Sequence, residues 1–122
     1  MLQVLEENWD SFLETRSVFH CCEPDQRLLD FAIKHKVFIG IDGDITYDPA
    51  KQDFIKQVPL TNIVLETDSP YFIPEPLRSE GITLNDPQNL NITAEFIAQL
   101  INTNPLSLKT QTLNNSLRLF NL

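Results

Sequence analysis

The sequence predicts an α/β chain, with a parallel sheet built from successive βα units. Three observations predict it. Short apolar runs stand at 17–20, 37–41 and 63–65, amphipathic stretches at helical spacing separate them, and proline, glycine or aspartate punctuates the junctions. Strands that alternate with helices read as crossover units of a parallel sheet rather than as hairpins.

Leu2, Leu5, Trp9, Phe12 and Leu13 recur at helical spacing, which predicts an opening helix ending near Thr15. A short strand over 17–20 follows. Pro24 suits a first helical turn, and Leu28, Leu29, Ala32 and Ile33 form one apolar stripe, predicting a helix to about His35. The run 37–41 is the second strand. Asp48 and Pro49 read as N-cap and first helical residue of a helix that carries Phe54 and Ile55 and stops before Pro59. Ile63, Val64 and Leu65 make the third strand. From Asp68 to Leu90 the chain carries Pro70, Pro74, Pro76 and Pro87 with no clear period, so a long ordered loop is expected there, of the kind that usually serves function. Ile92, Phe96, Ile97, Leu100 and Ile101 then mark one helix, and 108–120 another. Trp9, Phe31, Phe54 and Phe96 are expected in the core.

Composition narrows the function classes. A hydrophobic fraction of 42% with eight Phe belongs to a globular protein, and at 122 residues the chain is either one domain or a piece of a larger one. Seventeen acidic residues against nine basic ones give a formal net charge of −8, which disfavours simple basic-patch binding of nucleic acid unless cations intervene. Cys21 and Cys22 are adjacent, too close for an ordinary disulfide, and no other cysteine is present, so a reducing cytoplasm is expected. No apolar run reaches membrane-spanning length, and the residues from Met1 to Glu7 lack the basic start of a secretory signal.

Ligands of parallel sheets bind at the carboxyl ends of the strands. The three predicted strands end at His20, at Asp42-Gly43-Asp44 and at Glu66-Thr67-Asp68, so all three ends offer metal-ligating side chains on one rim. Asp68 reads equally as a metal-ligating or proton-accepting carboxylate and as an Asx cap of the loop that Ser69-Pro70 opens. His20 is a rim imidazole able to bind zinc or manganese; the alternative is a hydrogen-bonded core or surface histidine. Gly40 and Gly43 mark a close approach of backbone or ligand, or ordinary turns. Asp42 and Asp44 are expected to be solvated rather than ligating. Cys21 is disfavoured as a nucleophile, because no second rim histidine can serve as its base, and His35 reads as a solvated residue at a helix end.

Taken together, Val18-Phe19-His20-Cys21, Phe38-Ile39-Gly40-Ile41-Asp42-Gly43 and Leu65-Glu66-Thr67-Asp68-Ser69-Pro70-Tyr71 resemble the last three strand motifs of the TatD family of metal-dependent deoxyribonucleases, in order and interval. Pro76-Leu77-Arg78, Asn85-Asp86-Pro87 and Ser116-Leu117-Arg118-Leu119-Phe120 are similar to that family's last loop and terminal helix. The resemblance covers nearly the whole chain. It implies a partial TIM-like (β/α) barrel, with 1–122 as the C-terminal part of a single hydrolase domain: about the last three βα units plus the C-terminal helices.

By the same resemblance, two divalent cations (magnesium, manganese or zinc) serve hydrolysis of DNA phosphodiester bonds. His20 is implied as a ligand of one cation, and Asp68 as the ligand of the other and the partner of the attacking water. Arg78 is implied as a contact to substrate phosphate. Cations would supply the positive field that Glu23, Asp25, Asp42, Asp44, Glu66 and Asp68 oppose. Cys22-Glu23-Pro24 stands where the family usually has Phe-Ser-Gly. The family's His-x-His of the first strand, bridging Glu and fifth-strand His have no counterpart here. One ligand per cation predicts weak or absent metal binding by the chain alone, and three strands predict two open sheet edges and an uncovered apolar face, which self-association or a complementing N-terminal chain would cover. Three readings follow: a nuclease section active when completed by its N-terminal half, a non-catalytic remnant that binds partners through its open sheet, or a metal-dependent hydrolase of another substrate.

Overall fold

In the computed structural model, which describes residues 1–122, three parallel strands form one sheet in the order β1-β2-β3: β1 (Val18–Phe19), β2 (Phe38–Ile41) and β3 (Ile63–Leu65). Five α-helices accompany them: α1 (Leu2–Asn8), α2 (Gln26–His35), α3 (Pro49–Ile55), α4 (Leu90–Leu100) and α5 (Pro105–Leu119). The α/β class and the βα order are as expected, and no helix is long and apolar enough to cross a membrane.

The strands are short, and only β2 pairs on both sides. β1 has two regular residues, but Phe38 N–H donates to the Ser17 carbonyl (2.9 Å), so pairing begins one residue earlier. Val18 stands opposite Phe38, Ile39 opposite Ile63 and Ile41 opposite Leu65, which brings the three strand ends level. β2 is buried along its whole length, as a central parallel strand between covered faces should be. No uncovered apolar face is therefore found at β2. The two outer strands each pair on one side only, as expected.

Caps set the helix boundaries. Asp25, not Pro24, starts α2: its carboxylate accepts the N–H groups of Arg27 and Leu28, and the helix closes at Lys36 in the left-handed region (φ 53°). Asp48 caps α3 as anticipated, with Pro49 at its first position. The opening helix is shorter than its periodicity suggests. Trp9 turns extended, and Asp10 caps a separate 3₁₀ turn over Ser11–Leu13. Leu2, Leu5 and Trp9 pack against the core, whereas Phe12 in the turn stands out into solvent, its ring under the Arg16 guanidinium.

Leu29, Ala32, Ile39, Ile55, Ile63, Ile97 and Leu108 are among the fully buried residues of one continuous core. Phe31 and Phe54 lie in that core, while Trp9 and Phe96 pack against its margin. His35 is not a freely solvated helix end: its ring sits 4.3 Å from Phe31 and 4.8 Å from Trp9, centroid to centroid. Three asparagines knit elements together, each donating its side-chain amide to carbonyls of other segments. Asn62 bonds Ala32 and Val37, Asn115 on α5 bonds Leu60 and Ile63, and Asn85 bonds Thr67, Tyr71 and Phe72. Asn85 thereby gives the long segment after β3 a defined path.

Candidate metal centre

The level strand ends bring His20, Cys21, Glu66 and Asp68 together on one rim. His20 follows β1 directly, and its side chain is 60% exposed. Its Nε2 lies 3.3 Å from Asp68 Oδ1 and 3.4 Å from Glu66 Oε2. Cys21 and Asp68 both adopt the left-handed backbone region (φ 46° and 48°), uncommon for residues other than glycine and frequent at functional sites. That backbone turn lets the Cys21 thiol donate to Asp68 Oδ2 (2.6 Å) while its N–H donates to Glu66 Oε1 (2.8 Å). The Asp68 carboxylate therefore faces the rim instead of capping its own loop; the loop turn is closed by its backbone carbonyl, which accepts Tyr71 N–H.

Gly40 makes this arrangement possible. A Cβ there would stand 2.5 Å from Glu66 Oε1, so the carboxylate of β3 lies across a position of β2 that has no side chain. Gly43 has the same role for the long loop, since a Cβ would collide with the Phe72 carbonyl and press on Pro74. Of the two readings held open for these glycines, close approach is the one found.

Asp42 and Asp44 are buried, at 1% and 7% exposure, against the expectation that they are solvated. The turn Gly43–Thr46 folds them inward: Asp42 Oδ1 caps it by accepting Asp44 N–H (3.0 Å), and Lys51 reaches in from α3 to pair with Asp44, its ammonium also 3.4 Å from Glu23. The periodicity of α3 gives no warning of a buried lysine. Its only signal is the acidic pair Asp42 and Asp44 one turn upstream. The remaining oxygens, Asp42 Oδ2 and Asp44 Oδ1, are buried with no hydrogen-bond partner. Burial, reinforced by Asp42 and opposed by Lys51, pushes the Asp44 carboxyl up to about 6.

Burial foremost, then the hydrogen bond to Asp68 and the neighbouring Asp42 carboxylate, holds the Cys21 thiol far above its ordinary range. A thiol so protonated is a poor nucleophile, in agreement with the sequence reading. Burial likewise raises the Glu66 carboxyl, with the Cys21 N–H and His20 opposing. Two groups of three donors result, each with its ligand atoms within 4.8 Å of one another: His20, Cys21 and Glu66, and Cys21, Asp42 and Asp68. Mixed imidazole, thiol and carboxylate donors suit a borderline divalent cation. The sequence reading placed Asp42 and Glu66 among the rim acids but assigned one donor to each cation, and it did not count Cys21 as a donor.

Asp25, Glu23 and Arg78 stand apart from these groups. Asp25 is spent on its helix cap and on Arg27, and Glu23 faces Lys51. The Arg78 guanidinium stacks over Tyr47 (4.3 Å to the ring centroid) and reaches Glu75 (3.5 Å), leaving its side chain 56% exposed.

Residues 1–121 match the family model for TatD related DNase. The chain belongs to the TatD family. It is 40% identical over 83 residues to human deoxyribonuclease TATDN3, a match covering 68% of this chain and 28% of that protein. It is 37% identical over 107 residues to a metal-dependent hydrolase of Buchnera aphidicola, covering 86% of this chain and 39% of that one. The solved structure of YJJV, a TatD homolog from Escherichia coli K12, superposes on 88% of the chain with a TM-score of 0.76 at 25% identity, and the match takes up 41% of that protein. This TatD-family chain thus spans less than half the length of each of these relatives.

Proposed function

We propose that the chain is the C-terminal section of a TatD-type barrel hydrolase that, completed by its N-terminal half, cleaves phosphodiester bonds at DNA ends. The observation that carries the reading is the convergence of His20 and Asp68, from the ends of β1 and β3, to 3.3 Å at the carboxyl edge of the sheet. The human relative is named a deoxyribonuclease, and its match includes the same family region.

In this reading His20 ligates one divalent cation and Asp68 the other. Held by these residues, divalent cations would supply charge neutralisation at the phosphate and Lewis acidity toward water. The Asp68 carboxylate takes a proton from the attacking water as the new P–O bond forms; the ester P–O bond breaks, and the leaving oxygen takes a proton from solvent. Glu66 holds the β1 end in place through Cys21 N–H. Arg78, on an exposed stretch of the long loop, contacts a substrate phosphate when it exchanges Glu75 for the anion.

The test is degradation of end-labelled DNA by the chain co-expressed with the upstream half of its domain, with added magnesium or manganese. Release of nucleotides, lost in His20→Ala and in Asp68→Asn, is the expected result. An ester or amide substrate turned over with DNA untouched would move the protein to another substrate class, and an intact complemented protein inactive on all of them would make the chain a non-catalytic module.

A further inference from the structure

We propose that Cys21, Asp42 and Asp68 together form a thiolate-containing site for one borderline divalent cation such as zinc or cobalt, with a fourth position open. The proposal rests on the reading of Asp68 as a cation ligand and goes beyond it in naming Cys21 and Asp42 as the other two donors.

Three observations carry it. The Cys21 sulfur and one carboxylate oxygen each of Asp42 and Asp68 lie within 4.8 Å of one another, from the ends of three different strands. Tetrahedral zinc with ordinary zinc–sulfur and zinc–oxygen bonds separates its ligands by about 3.5 Å, so small side-chain rotations suffice. Second, Asp42 is 1% exposed and its Oδ2 is buried without a donor. A buried carboxylate oxygen lacking any partner is costly. The nearby ammonium does not relieve it: Lys51 bonds Asp44 and lies beside Glu23, and makes no hydrogen bond to Asp42 Oδ2. Third, the Cys21 sulfur already meets Asp68 Oδ2 at 2.6 Å across a shared thiol proton, which a cation held by both groups would displace as they part. On binding, the S–H bond breaks, the proton goes to solvent, and the sulfur lone pair becomes a metal bond. A thiolate among the donors selects zinc or cobalt over magnesium, which keeps to oxygen ligands.

The experiment titrates the 122-residue chain with Co(II) and records the near-ultraviolet band of thiolate-to-cobalt charge transfer. The expected result is a band saturating at one cobalt per chain, present in Cys22→Ser, absent in Cys21→Ser, and undisturbed by excess magnesium. Asp42→Asn should weaken zinc competition for that site by roughly 10- to 100-fold, the usual cost of a lost partner at a metal centre. As a check that needs no variant, zinc should protect Cys21 from alkylation. No charge-transfer band, a band that disappears with Cys22→Ser, or unchanged affinity in Asp42→Asn would overturn the site. Cobalt binding lost in His20→Ala but intact in Cys21→Ser would overturn it while leaving the hydrolase reading in place. A cobalt band with the expected variant pattern, beside a complemented protein inactive on DNA, would uphold the site and remove the nuclease reading.

Discussion

Lys51 and Asp44 form a buried ion pair, their side chains only 5% and 10% exposed, behind the acidic end of β2. The ammonium is held by two carboxylates and also lies 5.9 Å from the Phe72 ring centroid. Removing one partner of such a pair strands the other as an uncompensated charge. Lys51→Met should therefore cost about 3–5 kcal/mol of unfolding free energy, and adding Asp44→Leu should restore much of it. Urea denaturation of the single and double variants measures both. Equal losses in the two would mean that a stranded Asp44 charge is not the source of the cost.

Asn115 is fully buried on α5 and donates to the Leu60 and Ile63 carbonyls at 2.9 and 2.7 Å. Asn115→Leu keeps the volume but removes the side-chain donor to both carbonyls; Leu60 still accepts the Ile63 N–H, so the Ile63 carbonyl is the group that is stranded. The expected loss is about 1–3 kcal/mol per unsatisfied group, read from the shift in denaturation midpoint. Hydrogen exchange should localise the effect to β3 and the C-terminal helix, since the side chain is the polar link between them.

Gly40→Ala places a methyl group against the Glu66 carboxylate. Glu66 must then turn away, releasing the Cys21 N–H that its Oε1 accepts. Exchange of the Cys21 amide, measured by NMR, should accelerate in this variant, with the core amides of β2 little changed. Protection retained at Cys21 would mean that the carboxylate can yield without breaking the bond.

The Asp25 carboxyl is held below its ordinary range, first by its bond to the Arg27 side chain and then by the Arg27 backbone N–H. A carboxyl with a depressed folded-state value stabilises the protein above its unfolded value and loses that contribution as pH falls through the folded one. Thermal unfolding followed from neutral pH into the acid range should therefore show a smaller decline for Asp25→Asn than for the unaltered chain. The asparagine keeps the cap at α2 while removing the titration.

The sequence made the frame of the rim legible but not its filling. Strand ends at His20 and Asp68 follow from where apolar runs stop, and parallel pairing then sets those ends level. The Cys21 thiol's contact with Asp68 and the burial of Asp42 were not legible because both depend on direction, not spacing. A left-handed turn at Cys21 and an inward fold of the turn after β2 decide where the thiol and the carboxylate point. The opening helix is shorter than predicted for another reason: Phe12 fits the helical spacing but is exposed, and spacing cannot show that the chain turns at Trp9. Long-range asparagine donors such as Asn62 leave no local pattern at all.

The three carbonyls gathered by Asn85 make the segment after β3 a measured length of chain, clamped at Thr67 and again at Tyr71 and Phe72. For protein engineering this divides a stretch that looks uniform. A peptide tag or reporter inserted between Thr67 and Phe72 would pull the clamp out of register with the rim, whereas Gly81, with open space around it, lies on a tip where added residues can extend into solvent.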